Sequence, residues 1–172
     1  MKKSDLRKGE FGEFYAGYID QIEDDAELIQ TMEQNTSEFV EFLNSIPSEK
    51  WNHRYQPDKW SILEMVQHII DTERIFQYRA LCFARNEQKP LPGFDHDLYV
   101  LNSGSENRTG AGLIEEFECV RKSGIFLFKS FTEDMLKIKG NMNDVNTSPR
   151  AIGYIMVGHA KHHQNILKSR YL

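Results

Sequence analysis

The sequence is poor in cysteine. Its 172 residues hold only Cys82 and Cys119, each alone within an apparent helix. Two isolated thiols exclude a disulfide framework and a cysteine-based zinc knot, and they read as buried thiols in a reducing cytosol. Long apolar runs are also missing. No stretch approaches the roughly 18–20 residues that span a bilayer. The opening MKKSDLRKGEFGEF has a charged start but no apolar core behind it, so it does not read as a signal peptide, and a cytoplasmic protein is expected. Nor is there an excess of positive charge. Lys and Arg number 21 against 26 Asp and Glu, for a net charge of −5, and the signs are mixed along the chain. That argues against a nucleic-acid-binding surface. No internal repeat, low-complexity tract, GxSxG elbow or phosphate loop occurs.

What the chain does contain is helical periodicity, in four long segments. The first is expected from about Asp24 to Ile46, opened by a capping box of Asp24 and Glu27 and stopped by Pro47. Its apolar stripe is Leu28, Met32, Phe39, Phe42, Leu43 and Ile46. The second begins at the Ser61–Glu64 capping box and runs to about Arg85. The third spans about Thr109 to Phe131, with Leu113, Phe117, Val120, Phe128 and Phe131 facing the core and Gly124 marking a close approach. The fourth runs from Ser148 to Leu172, with Ser148 as N-cap and Pro149 at the first helical position. Residues 1–23 read as an N-terminal arm or short helix over the bundle, and residues 24–172 as one all-α four-helix-bundle domain with no convincing strand.

The connectors carry aromatic and polar residues. Trp51, Tyr55 and Trp60 are expected to plug one end of the bundle, and His53 to be solvated. The stretch 87–108 is long for a loop in a small domain and has the mixed character of a pocket cover, with a short helix around Asp95 to Leu101. Within it His96, between two aspartates, reads as a surface histidine. Thr132 is placed to cap one further turn through Leu136, and residues 137–147 read as a turn-rich connector.

The last helix raises a chemical question. Ile152, Ile155, Met156, Ile166 and Leu167 lie on one face, and His159 and His163 lie in the middle of that face, one turn apart. His162 sits at its edge, about 60° away on the wheel. Imidazoles at i and i+4 are either a hydrogen-bonded core pair or two ligands for one cation. The helix alone does not choose. His68 lies about 100° from the centre of the apolar face of the second helix, toward a seam or toward water. Asp71, Glu73, Arg74 and Arg79 on that helix are either partners for an imidazole N–H or a ladder of surface ion pairs.

Three blocks then resemble a known family. PDKWSILEMVQHIIDTERIFQYRALCFAR (57–85), LPGFDHDLYV (91–100) and GHAKHHQNIL (158–167) are similar, in this order, to the DinB-like superfamily and its bacillithiol transferase-like YfiT branch. The resemblance covers roughly residues 24–172. It implies a bundle of up-down-down-up topology, usually dimeric, with a three-histidine site for a divalent transition metal such as zinc or nickel. The metal positions fall on His68, His159 and His163, while His162 matches a position that is not a ligand. Three neutral imidazoles would leave coordination positions open, as catalytic sites do. The family's members include thiol transferases, isomerases and proteins labelled metal-dependent hydrolases. The expectation is therefore a small metal-dependent enzyme, either a thiol S-transferase or a hydrolase, acting on a small electrophilic substrate, with a low-molecular-weight thiol as a candidate co-substrate. The alternative is a non-catalytic metal-binding structural or interaction dimer. A zinc-protease reading fails, because HAKHH lacks the Glu that serves as base beside the first histidine. No catalytic acid or base is identified, and nothing here supports DNA repair.

Overall fold

Four long helices carry the fold in a computed structural model that describes residues 1–172. In chain order the elements are α1 (Ala16–Ile19), α2 (Leu28–Asn44), α3 (Ile62–Ala84), α4 (His96–Leu101), α5 (Gly110–Lys129), α6 (Glu133–Lys137), a hairpin of β1 (Gly140–Met142) and β2 (Val145–Thr147), and α7 (Pro149–Arg170). The caps explain where most of them start. The Ser61 hydroxyl accepts from the Glu64 N–H, and the Glu64 carboxylate accepts from the Ser61 N–H in return. Thr109, Thr132 and Ser148 each accept an N–H from three residues on. Each such bond satisfies a donor that the first helical turn leaves orphaned.

Cross-helix contacts fix the directions. Arg74 reaches Glu116, and Gln77 reaches the Val120 carbonyl, so α3 and α5 run parallel. Lys129 reaches Glu33 while Arg121 reaches Asn35, so α5 runs against α2. Lys168 lies over the Phe42 ring and Gly153 packs on Leu28, so α7 runs with α2. The Tyr171 hydroxyl donates to the Trp60 carbonyl at the opposite end of α7 from α6, so α7 runs against α3. The four long helices are therefore up-down-down-up. The parallel step from α3 to α5 needs a crossover, and the long 87–108 stretch supplies it. No helix is long and apolar enough to cross a membrane.

The core divides in two. One cluster holds Leu28, Met32, Phe76, Phe83, Phe128 and Ile155; the other holds Phe39, Leu43, Ile69, Leu113, Phe117 and Leu167. Between them lies a polar layer with one residue from each long helix: Asn35, Glu73, Arg121 and His159, all buried. Arg121 is fully buried and grips Glu73 through Nε at 2.9 Å and Nη2 at 2.6 Å, while Nη1 donates to Asn35 Oδ1 at 3.0 Å. A bidentate pair of this kind is how a bundle tolerates charge at its centre.

Several expectations need correction. Helix α2 starts at Leu28, not Asp24, and the Asp24–Glu27 capping box does not form. Glu27 is instead held by the Met1 amino group and Asp24 by Lys3, so the segment before α2 is tied to the N-terminus. Residues 137–147 are not merely a connector. They form a hairpin in which Asn143 and Asp144, both at positive φ, make the two-residue turn. A Cβ on Gly140 would sit 1.9 Å from the Phe83 ring, so only glycine lets β1 lie there. Cys119 is exposed and Cys82 half-buried, so neither is the buried thiol expected. Gly124 does mark a close approach, since a Cβ there would meet Gln77 at 2.7 Å.

The first 27 residues lie across α7. Glu10, only 2% exposed, receives two bonds from Arg150 and one from the Ser148 hydroxyl, while its carbonyl accepts the Ser148 N–H. The Tyr154 hydroxyl donates to the Ala26 carbonyl at 2.8 Å. This clasp brings α1 onto α7. At the crossing Gly158 has no side chain, and a Cβ there would stand 2.1 Å from the Tyr18 carbonyl oxygen.

Candidate metal centre

The 3.6-residue period of α7 stacks His159 and His163 on one another, and antiparallel α3 brings His68 against both. The Nε2 atom of His159 lies 3.1 Å from that of His68 and 3.0 Å from that of His163. The three ligand atoms all fall within 4.8 Å of one another, and all three residues are buried. Burial holds the imidazoles in the neutral form. It pushes His68 down from 6.5 to about 4, with His96 nearby adding to the effect. His159 and His163 are driven well below the ordinary histidine range by burial first and then by their imidazole neighbours. Neutral imidazole is the form that ligates metals.

A hydrogen-bonded core cluster explains this arrangement poorly. The Nε2 of His159 has one in-plane lone pair, and both neighbouring nitrogens point at it. It cannot accept from both. Two nitrogens each about 2.05 Å from a shared ion stand roughly 3.0–3.4 Å apart at inter-ligand angles of about 95–110°. The observed 3.0 and 3.1 Å spacings fit that range. The buried Nδ1 of His163 has no protein partner. The group thus fits a divalent metal by donor type, protonation state and spacing.

The histidines stand at one end of a cavity of about 350 Å³. Its walls come from five places: Phe14, Tyr15 and Tyr18 from the arm and α1, Trp60 from the connector, α3, Phe94 and His96 from the 87–108 crossover, and Asn143 from the hairpin turn. No Asp or Glu lines it. Trp60 tilts over His68 at 4.9 Å between ring centres, and Tyr18 meets His159 edge-on at 5.5 Å. A wider surface depression of about 740 Å³ between α2 and α7 holds a single apolar side chain and no histidine or cysteine, so it offers none of this chemistry.

Residues 31–167 match the family model described as the DinB superfamily. The chain belongs to the DinB superfamily. It is 27% identical over 116 residues to a protein of Oceanobacillus iheyensis named "Putative metal-dependent hydrolase OB0413". That similarity covers 67% of this chain and 66% of the relative, just under two thirds of its length. The fold matches a solved structure of YfiT from Bacillus subtilis, described as "a probable metal-dependent hydrolase with an unusual four-helix bundle topology". There the TM-score is 0.73 at 15% identity, covering 82% of each chain.

The structure brings together His68, His159 and His163, and it leaves His162 half-buried against Tyr18, outside the cluster. His53 is exposed and remote, as expected. Trp60 is a correction: it walls the cavity rather than plugging the bundle end, a role that falls to Trp51. His96 is exposed but faces the cavity mouth, with its ring 5.9 Å from that of His68. Asp71, Glu73, Arg74 and Arg79 make no bond to an imidazole: Asp71 accepts from Gln67, Glu73 from Arg121, Arg74 donates to Glu116 and Arg79 to the Pro92 carbonyl. Sequence reasoning missed Tyr15 and Tyr18 as cavity residues. Their only signal was the density of aromatics in an otherwise polar arm.

Proposed function

We propose that the protein is a small metal-dependent enzyme in which His68, His159 and His163 hold one divalent transition-metal ion, zinc or nickel. We further propose that it acts as a hydrolase or thiol S-transferase on a small electrophilic substrate. The observation that carries this reading is the convergence of three buried, neutral Nε2 atoms at one end of a cavity large enough for a guest. The names of the Oceanobacillus and Bacillus relatives support the hydrolase arm. An ion held by His68, His159 and His163 would supply Lewis acidity, the chemistry that activates water for hydrolysis or a thiol for transfer.

The residues around the site do the rest. No carboxylate in the walls is available as a general base. His96 at the mouth is the imidazole placed to exchange a proton between cavity and solvent. Trp60, Tyr18 and Phe94 hold an apolar guest and keep bulk water out. The crossover lines the cavity without filling it, which weighs against a purely structural metal site.

The test begins with elemental analysis of untagged protein and of His163→Ala. One equivalent of metal in the first and a large loss in the second are expected. Metal content unmoved by the substitution removes the site. Ester and amide hydrolysis, and conjugation of a generic electrophile by a panel of thiols, then separate the two reaction classes. We also propose that the chain acts as a homodimer. Light scattering tests this, and a strict monomer refutes it.

A further inference from the structure

We propose that the cavity takes an elongated substrate bearing an anionic group, a carboxylate or phosphate-like end, and that Arg79 anchors this group at the end away from the histidines. The inference rests on the reading above only for which end of the substrate reacts.

Three arginines are buried in this protein. Arg121 has Glu73 as its partner and Arg150 has Glu10. Arg79, 4% exposed, has no carboxylate. Its Nη2 donates to the Pro92 carbonyl at 2.7 Å, its Nη1 lies 3.9 Å from the Met142 sulfur, and the Tyr15 hydroxyl beside the guanidinium is a phenol that burial keeps neutral. A guanidinium offers five donors in a planar fork suited to carboxylate or phosphate, and a buried cation left without an anion is costly. The cavity it lines contains no acidic side chain to compensate it. The rings of Phe76 and Phe94 flank the guanidinium at 5.7 and 5.8 Å and hold its plane without neutralising it.

The geometry along α3 gives the substrate its length. His68, Thr72, Phe76 and Arg79 all line the cavity. Their spacing of four, four and three residues puts them on one stripe, with about 16 Å between the first and last backbone positions. The stripe runs from metal ligand to hydroxyl to aromatic ring to cation. The Thr72 hydroxyl is buried with no hydrogen-bond partner in the protein, so a second polar group waits for a guest between the two ends. The stripe fits a molecule that is polar where it reacts, flat and apolar in the middle, and anionic at the tail.

The test compares three probes that share an apolar body: 3-phenylpropionate, 2-phenylethylphosphonate and the neutral 3-phenylpropanamide. Each is titrated by calorimetry into the protein as purified and after chelation of its metal. Both anions are expected to bind at least tenfold tighter than the amide in both preparations, and the tighter of the two names the group. Arg79→Met is expected to bring the anions within twofold of the amide while leaving amide binding unchanged, and Arg79→Lys to retain part of the preference. Equal binding of anion and amide by the unsubstituted protein overturns the proposal, with no variant needed. A preference that survives Arg79→Met, or one that disappears on chelation because the anion sat on the ion, also overturns it. A protein that proves to hold no metal, or to turn nothing over, still shows the anion preference, so failure of the enzyme reading is distinguishable from failure of the anchor.

Discussion

Replacing Arg121 with methionine should destabilise the protein severely, and the polar layer says by how much. The substitution removes both bonds to Glu73 and the one to Asn35, and it leaves a carboxylate that is 1% exposed with no counter-charge. Breaking a buried pair from one side costs about 3–5 kcal/mol, a large share of the roughly 5–15 kcal/mol that holds a domain together. Removing both charges in Arg121→Met with Glu73→Leu should recover most of that loss, to within about 1–2 kcal/mol of the unsubstituted protein, because the penalty lies in the stranded ion rather than in the missing contact. The pH dependence carries its own signature. Burial already pushes the Glu73 carboxyl up, and the Arg121 guanidinium opposes it. Without Arg121, the native state of the single variant takes up a proton that the unfolded chain, with a carboxyl pKa of about 4.3, does not hold at the same pH. Measured against the unsubstituted protein at the same pH, its deficit therefore narrows as pH falls from 7 toward 5. Urea unfolding followed by far-ultraviolet circular dichroism, with the metal state held fixed, measures all of this. A single variant within about 1 kcal/mol of the parent, or a double variant no better than the single, refutes the reasoning.

Two further outcomes are expected. Gly158→Ala gains about 1 kcal/mol of helix propensity but drives a methyl into the Tyr18 carbonyl, an overpacking cost of about 1–3 kcal/mol that also pushes Tyr18 off His159. Urea unfolding should show a net loss, and a stabilised variant would disprove the close approach. In metal-free protein the buried histidines refuse protons that the unfolded chain accepts below about pH 6.5, so stability falls as pH drops from there. His68, lowered to about 4, alone accounts for about 3 kcal/mol by the bottom of that window. Melting temperatures across pH 4–7 that stay flat would contradict the burial of this cluster.

The long helices were legible because their signals are local. Ser61–Glu64, Thr109 and Ser148–Pro149 announce starts through bonds made within three residues, and apolar residues at turn spacing set the buried faces. The start of α2 was misread for the opposite reason. Asp24 and Glu27 have the spacing of a capping box, but Lys3 and the Met1 amino group, more than twenty residues away, take their carboxylates. The hairpin escaped notice because strands of three residues are too short to display an alternation. At the site, the pairing of His159 with His163 is a property of one helix and could be read directly. The contribution of His68 depends on which helix packs against α7, and only the family resemblance supplied it. Trp60, Tyr18 and Arg79 face the cavity because of crossings made by distant segments, and no periodicity encodes those.

His159 and His163 ride on one rigid rod and His68 on the rod beside it, so the grip on an ion depends on a single seam of the bundle. The enclosure around it is assembled from separate stretches of chain: the N-terminal arm, the crossover and the hairpin turn, along with Trp60 and the cavity-facing stripe of α3. Changes confined to those outlying stretches can redraw the outline of the accepted molecule, one stretch at a time, while the seam stays intact. A scaffold divided in this way can acquire new specificities without first surrendering the element that performs the chemistry.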